Sequence, residues 1–174
     1  KTGSIWHFFL KTEAKSLYYG WRTTGSDITY LDPYAKLLDS SNIFGNNLWA
    51  NFTSGKRLYA IAFVDNAFNW QMVHKPHRDT DELIIYEMHV RGFTQHPTSK
   101  VTFPGTYKGI IEKIPYLLEL GITAIELMPV FEWNEEEYVR INPKTKQPLY
   151  NFWGYSPISF FAPMQRFASN SHPF

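Results

Sequence analysis

The sequence predicts two segments of different class: the closing strands of a β-sandwich over residues 1–75, and the opening of an α/β barrel over residues 76–174. Three observations point there. Short apolar runs broken by turn residues fill the first segment. A polar connector follows at 74–82. After it the pattern changes to strand, helix, strand.

In the first segment, residues 5–10, 17–22 and 58–64 read as strands, the second alternating so that one face is half-buried. Gly25-Ser26-Asp27 and Ser54-Gly55-Lys56 separate such runs. A sandwich of this type needs about seven strands. Fewer are present, so the sandwich is expected to begin before Lys1. In the second segment, residues 83–90 predict a strand buried on at least one face. Residues 107–120 carry Ile110, Ile111, Ile114, Leu117 and Leu118 at helical spacing, with Thr106 as N-cap and Gly121 as the stop. Pro115 inside that run predicts a kink or an irregular start. Residues 122–130 predict a second strand, giving a βαβ unit and a parallel pair. Two parallel strands and one helix do not make a stable domain, so the chain is expected to be truncated at both ends.

The composition narrows the function classes. The 174 residues suffice for one ordinary domain or two small ones, and 44% are hydrophobic, enough for a core. Aromatics make up 18%; they pack cores and also offer flat apolar faces to sugar rings. A net charge of +1, without a basic run, gives no electrostatic case for nucleic acid or an anionic membrane. The absence of Cys excludes disulfides and Cys-based metal sites and is compatible with a reducing compartment. No stretch approaches the roughly 20 apolar residues of a membrane span, and no signal peptide is visible.

Residues 131–151 are polar and precede Asn151-Phe152-Trp153-Gly154-Tyr155-Ser156-Pro157. A long aromatic-bearing insertion after a parallel strand is where α/β barrels build their sites.

Five motifs in order carry a resemblance. Ile85-Tyr86-Glu87-Met88-His89-Val90-Arg91-Gly92-Phe93-Thr94 resembles the first barrel strand of isoamylase-type debranching enzymes. Gly105-Thr106-Tyr107-Lys108-Gly109 is similar to the entry into their first helix. Residues 120–130, from Leu120-Gly121 to Pro129-Val130, resemble their second strand. Asn151-Phe152-Trp153-Gly154-Tyr155 with Phe160-Phe161-Ala162-Pro163 resembles the stretch that follows. Leu31-Asp32-Pro33-Tyr34-Ala35-Lys36 resembles the segment joining the amino-terminal sandwich to the barrel. Each motif alone is weak; the ordered set, spread over about residues 5–170, is specific.

The resemblance implies a glycan-binding-type (carbohydrate-binding-module-like) sandwich followed by a (β/α)8 barrel. It implies hydrolysis of α-1,6 branch points in glycogen, amylopectin or limit dextrins, in bacterial cytoplasm or plastid stroma. The partner would be an α-glucan, without nucleic acid or membrane. Two alternatives stay open: a non-catalytic isoamylase-like glucan-binding or regulatory subunit, and a related barrel hydrolase acting on α-1,4 bonds or forming trehalose.

Retaining glycoside hydrolysis needs two carboxyl groups about 5 Å apart. In the resembled family these lie on later strands, so no catalytic residue is assigned here, and the fragment alone is expected to be inactive. Tyr155 is expected to stack against a sugar ring; loop packing is the alternative. Trp153 either lines the cleft or braces Tyr155. His89 at the strand end reaches substrate or joins a Glu87–Arg91 network on one strand face. Asn151 and Gly154 read as turn-formers. Glu132, Glu135, Glu136 and Glu137 read as a solvated acidic loop. No metal site and no cofactor are assigned. The resemblance leaves calcium as a minor option, because some relatives bind it in this loop through oxygen ligands.

Overall fold

The computed structural model describes residues 1–40, 43, 58–63, 68–137 and 140–170. Among the described residues, four short strands precede the connector: β1 (Ser16–Tyr19), β2 (Trp21–Arg22), β3 (Thr29–Tyr30) and β4 (Ala60–Phe63). β1 pairs antiparallel with β4, Ser16 opposite Phe63, and β2 pairs antiparallel with β3. Among the described residues these are two separate two-stranded ladders, not two packed sheets. The expected sandwich is therefore not assembled here, because two ladders cannot cover each other as facing sheets do. The run at 5–10 is not a strand: among the described residues Ile5 forms a bridge to Thr2 and no ladder neighbours the rest of the run. The turn at 54–56 and the residue at 64 lie outside the described residues.

The segment after β3 ties the ladders to the rest of the chain. Tyr19 donates its phenol to Asp32 at 2.7 Å. Ile61 N donates to Leu37 O, and Asp39 N to Tyr59 O, both at 2.8 Å. Ala35, Leu38, Ala60 and Ala162 then form a small buried cluster.

After the connector come β5 (Ile85–Met88), α1 (Val90–Thr94), α2 (Tyr107–Glu112), α3 (Ile114–Glu119) and β6 (Ala124–Leu127). β5 and β6 are parallel, with Ile85 opposite Ala124 and Glu87 opposite Glu126. The predicted βαβ unit is present. Its helix is split, since Pro115 stands in the first turn of α3 and cannot donate into a continuous ladder. Thr106 caps α2 by accepting from Gly109 N at 3.2 Å, and Gly121 ends α3 at φ +84°.

The insertion is more ordered than its polarity suggests. It holds β7 (Phe131–Trp133), the hairpin β8 (Arg140–Ile141) with β9 (Pro148–Leu149), and β10 (Pro157–Pro163). β10 returns antiparallel against β7 with two irregularities in register. The main core joins both parts: Met88, Val90, Ile110 and Leu117 from the βαβ unit meet Trp133, Met164 and Phe167 from the insertion. Tyr107 donates to Val130 O at 3.1 Å, pinning α2 to the segment between β6 and β7, and burial raises its phenol well above the ordinary range.

Candidate functional site

A shallow depression of about 280 Å³ opens beyond the carboxyl ends of β5 and β6. Glu87, Glu126, Leu127, Met128, Pro129, Phe131, Tyr155 and Pro157 line it. The strand period explains the two acids: Met88 points into the helix-side core, so Glu87 points to the opposite face, in register with Glu126. Both are exposed and share one environment. Acid–base pairs need environments that separate their roles, so neither is assigned catalysis.

Tyr155 stands at the rim, 68% exposed. Its position is set by the residues before it. Gly154 sits at φ +83°, which a glycine adopts without strain, and a Cβ there would meet the Trp133 ring at 2.7 Å. Asn151 closes the turn, accepting from Gly154 N at 3.0 Å and donating to Glu137 Oε1 at 2.8 Å. Ser156 adds a bond to the same carboxylate at 2.6 Å. Trp133 is completely buried and donates Nε1–H to Asn151 O at 2.9 Å. The tyrosine ring thus leaves a fixed turn and faces outward.

Trp153 is 56% exposed and packs edge-on against Phe152 and, at 6.2 Å, against His89. It braces Phe152 and His89 rather than Tyr155. His89 is buried, with both ring nitrogens engaged. Nε2–H donates to Phe152 O at 2.8 Å, and Nδ1 accepts from Gly92 N at 3.0 Å, capping α1. Its ring stacks on Phe152 at 4.2 Å. Burial pushes the imidazole below its ordinary value, which keeps Nδ1 free to accept. The strand ends at Met88, so Arg91 lies in α1 and does not alternate with Glu87 as a longer strand would require.

The acidic run is not a solvated loop. Glu132 and Glu135 are buried, and both converge on the buried Arg166. Arg166 Nη2 reaches Glu132 Oε1, Nε lies 3.0 Å from Glu135 Oε1, and Nη2 also donates to Trp133 O at 2.8 Å. Gln165 N donates to the second Glu132 oxygen at 3.2 Å. Burial drives the Glu132 carboxyl above its ordinary value, against the pull of Arg166. Sequence reasoning missed this cluster because Arg166 lies 34 residues from Glu132. The signal was a lone cation inside the apolar run Phe161-Ala162-Pro163-Met164-Gln165-Arg166-Phe167. The carboxylates do not fit a calcium ion, because a guanidinium already lies between them. Among the described residues, no group of three or more His, Cys, Asp or Glu is placed to hold a metal.

A parallel strand pair joined by helices, with an aromatic-bearing loop beyond its carboxyl ends, is the βαβ building block of the parallel α/β folds, barrels among them. The chain belongs to the α-amylase family: the description "Alpha amylase, catalytic domain" matches residues 41–155. It is 42% identical to isoamylase 1, chloroplastic, of Arabidopsis thaliana, over 98% of this chain and 23% of that protein. It is 29% identical to the glycogen debranching enzyme of Dickeya chrysanthemi, over 99% of this chain and 29% of that protein. The catalytic module of the glycogen-degrading pneumococcal virulence factor SpuA superposes with a TM-score of 0.62 at 30% identity, covering 88% of this chain and 23% of that one. Type I pullulanase of Bacillus subtilis, complexed with maltose, gives 0.59 at 28% identity, covering 83% and 19%. The chain therefore spans about a quarter of the length of the curated relatives it matches. The isoamylase-type resemblance read from the five motifs agrees with these relatives.

Proposed function

We propose that this chain is the opening of the catalytic barrel of an α-1,6-glucan debranching hydrolase, preceded by the last strands of a glycan-binding-type sandwich at residues 1–75. Residues 76–174 supply the first βαβ unit and the sugar-facing insertion. The substrate class is glycogen, amylopectin or limit dextrin, in plastid stroma or bacterial cytoplasm. The two carboxyl groups of a retaining mechanism come from later strands, and the fragment alone does not hydrolyse glucan. One observation carries the reading: Tyr155 presents an exposed ring at the carboxyl-end rim, on a turn fixed by Gly154 and Trp133. A flat ring there offers apolar contact to the C–H face of a pyranose and excludes water beside the bond to be cleaved. Trp153, exposed and packed edge-on against His89, is the weaker second face for the sugar, and the buried His89 is the weakest candidate, setting the loop through Phe152.

The test is glycogen hydrolysis by the full-length protein and its Tyr155→Ala variant. Release of linear chains by the wild type is expected, with kcat/KM falling about 10–100-fold in the variant, or about 1.4–2.7 kcal/mol. The melting temperature should stay unchanged, since Tyr155 is at the surface. Glucan binding without hydrolysis would instead identify the non-catalytic subunit. Cleavage confined to α-1,4 bonds would identify the related barrel hydrolase.

A further inference from the structure

Glu132, Glu135 and the Trp133 carbonyl place three hard oxygen donors within four residues of sequence, at the end of β7, and all three face one guanidinium, two at Nη2 and one at Nε. Oxygen donors of this kind, two of them carboxylates, are what a calcium ion requires. Here their partner is the Arg166 guanidinium, with Met164 Sδ beside it at 2.8 Å. A guanidinium is always charged and presents donors in a rigid fork, so it joins several acceptors at once as an ion would, but it stays covalently attached. We infer that Arg166 is a built-in cation at this position, and that the loop carrying Tyr155 is held without a divalent ion.

The location gives this consequence for the site. Glu135 O accepts from Asn151 N at 2.7 Å, and Trp133 both bonds Asn151 O and underlies Gly154. The cluster is thus the footing of the 151–155 turn. The charge count supports an exchangeable arrangement: one guanidinium faces two carboxylates, so removing it leaves two buried anions around a space that a small divalent ion neutralises.

The test reads melting temperature, so its outcome is independent of the hydrolase reading. Full-length wild type and its Glu135→Gln variant are melted in chelator and in millimolar calcium chloride. The expected shift on adding calcium is the same in both proteins, because the cluster binds none. Arg166→Ala is expected to melt lower in chelator and to rise by several degrees in calcium. Arg166→Lys, a point charge without the fork, should melt between the two and ignore calcium. A wild-type calcium response that Glu135→Gln abolishes would overturn the inference, whatever the folding of Arg166→Ala. A folded Arg166→Ala protein indifferent to calcium would overturn it as well.

Discussion

The amino-terminal ladders and the strand–helix–strand unit treat their aromatic side chains in opposite ways. Trp6, Phe8 and Phe9 lie exposed before β1, Phe9 at 88%. Trp133 and Phe167 are fully buried, edge to face at 5.4 Å, between the βαβ unit and the insertion. Apolar content is thus not what separates the two regions. In the first, among the described residues, β2 and β3 pair only with each other, β4 adds to β1 only a bridge to Leu38, and the buried cluster consists mostly of small residues. In the second, a helix pair, a returning strand and a buried ion cluster close around the same rings. Burial follows from having partners on several sides, and the region that positions Tyr155 has them.

Substitutions ranked by expected cost test that contrast. Removing Arg166 strands two buried carboxylates, so Arg166→Ala should lose about 3–5 kcal/mol, read from urea unfolding of the full-length protein. A loss under about 1 kcal/mol would mean the insertion is no better anchored than the ladders. Gly154→Ala combines a left-handed backbone with a clash on Trp133, and should cost about 2–4 kcal/mol.

His89 adds a pH dependence. Its pKa is lower in the folded chain than in the unfolded one, so its stabilising effect is present above the ordinary value and lost as pH falls through the folded value. His89→Asn keeps a cap acceptor but loses the Phe152 bond and stack. It should cost about 1–2 kcal/mol at pH 8 and progressively less below pH 6.5, seen as converging urea midpoints. The smallest effect belongs to the ladders. Tyr19→Phe removes the bond to Asp32 and should cost about 1 kcal/mol, measured the same way. A larger loss would show that the joining segment, not the insertion, anchors the chain.

What the sequence disclosed follows the range of the interactions. Thr106, Gly121 and Pro115 act through neighbours within a turn, and each behaves as its local rule says. The Asn151 and Gly154 turn was legible for the same reason. The acidic run was not, because charge patterning carries no record of an arginine 31 residues beyond Glu135. His89 was misplaced on a strand face because nothing in the alternation marks where β5 gives way to α1. The sandwich strand at 5–10 was overread, since its pattern describes a strand but not the partner it needs.

The turn under Tyr155 also has a consequence for the entropy of recognition. Gly154 is normally the loosest residue in a loop, yet here its conformation is fixed by the indole beneath it and the amide of Asn151 above. The backbone leading to the ring is already ordered before any ligand arrives. Only the two side-chain torsions of the tyrosine remain to be frozen, at about 0.5–1.5 kcal/mol, where ordering a mobile loop would cost that much for each of several residues. If Tyr155 meets a sugar as proposed, a single ring on this shallow open surface loses little freedom in the encounter.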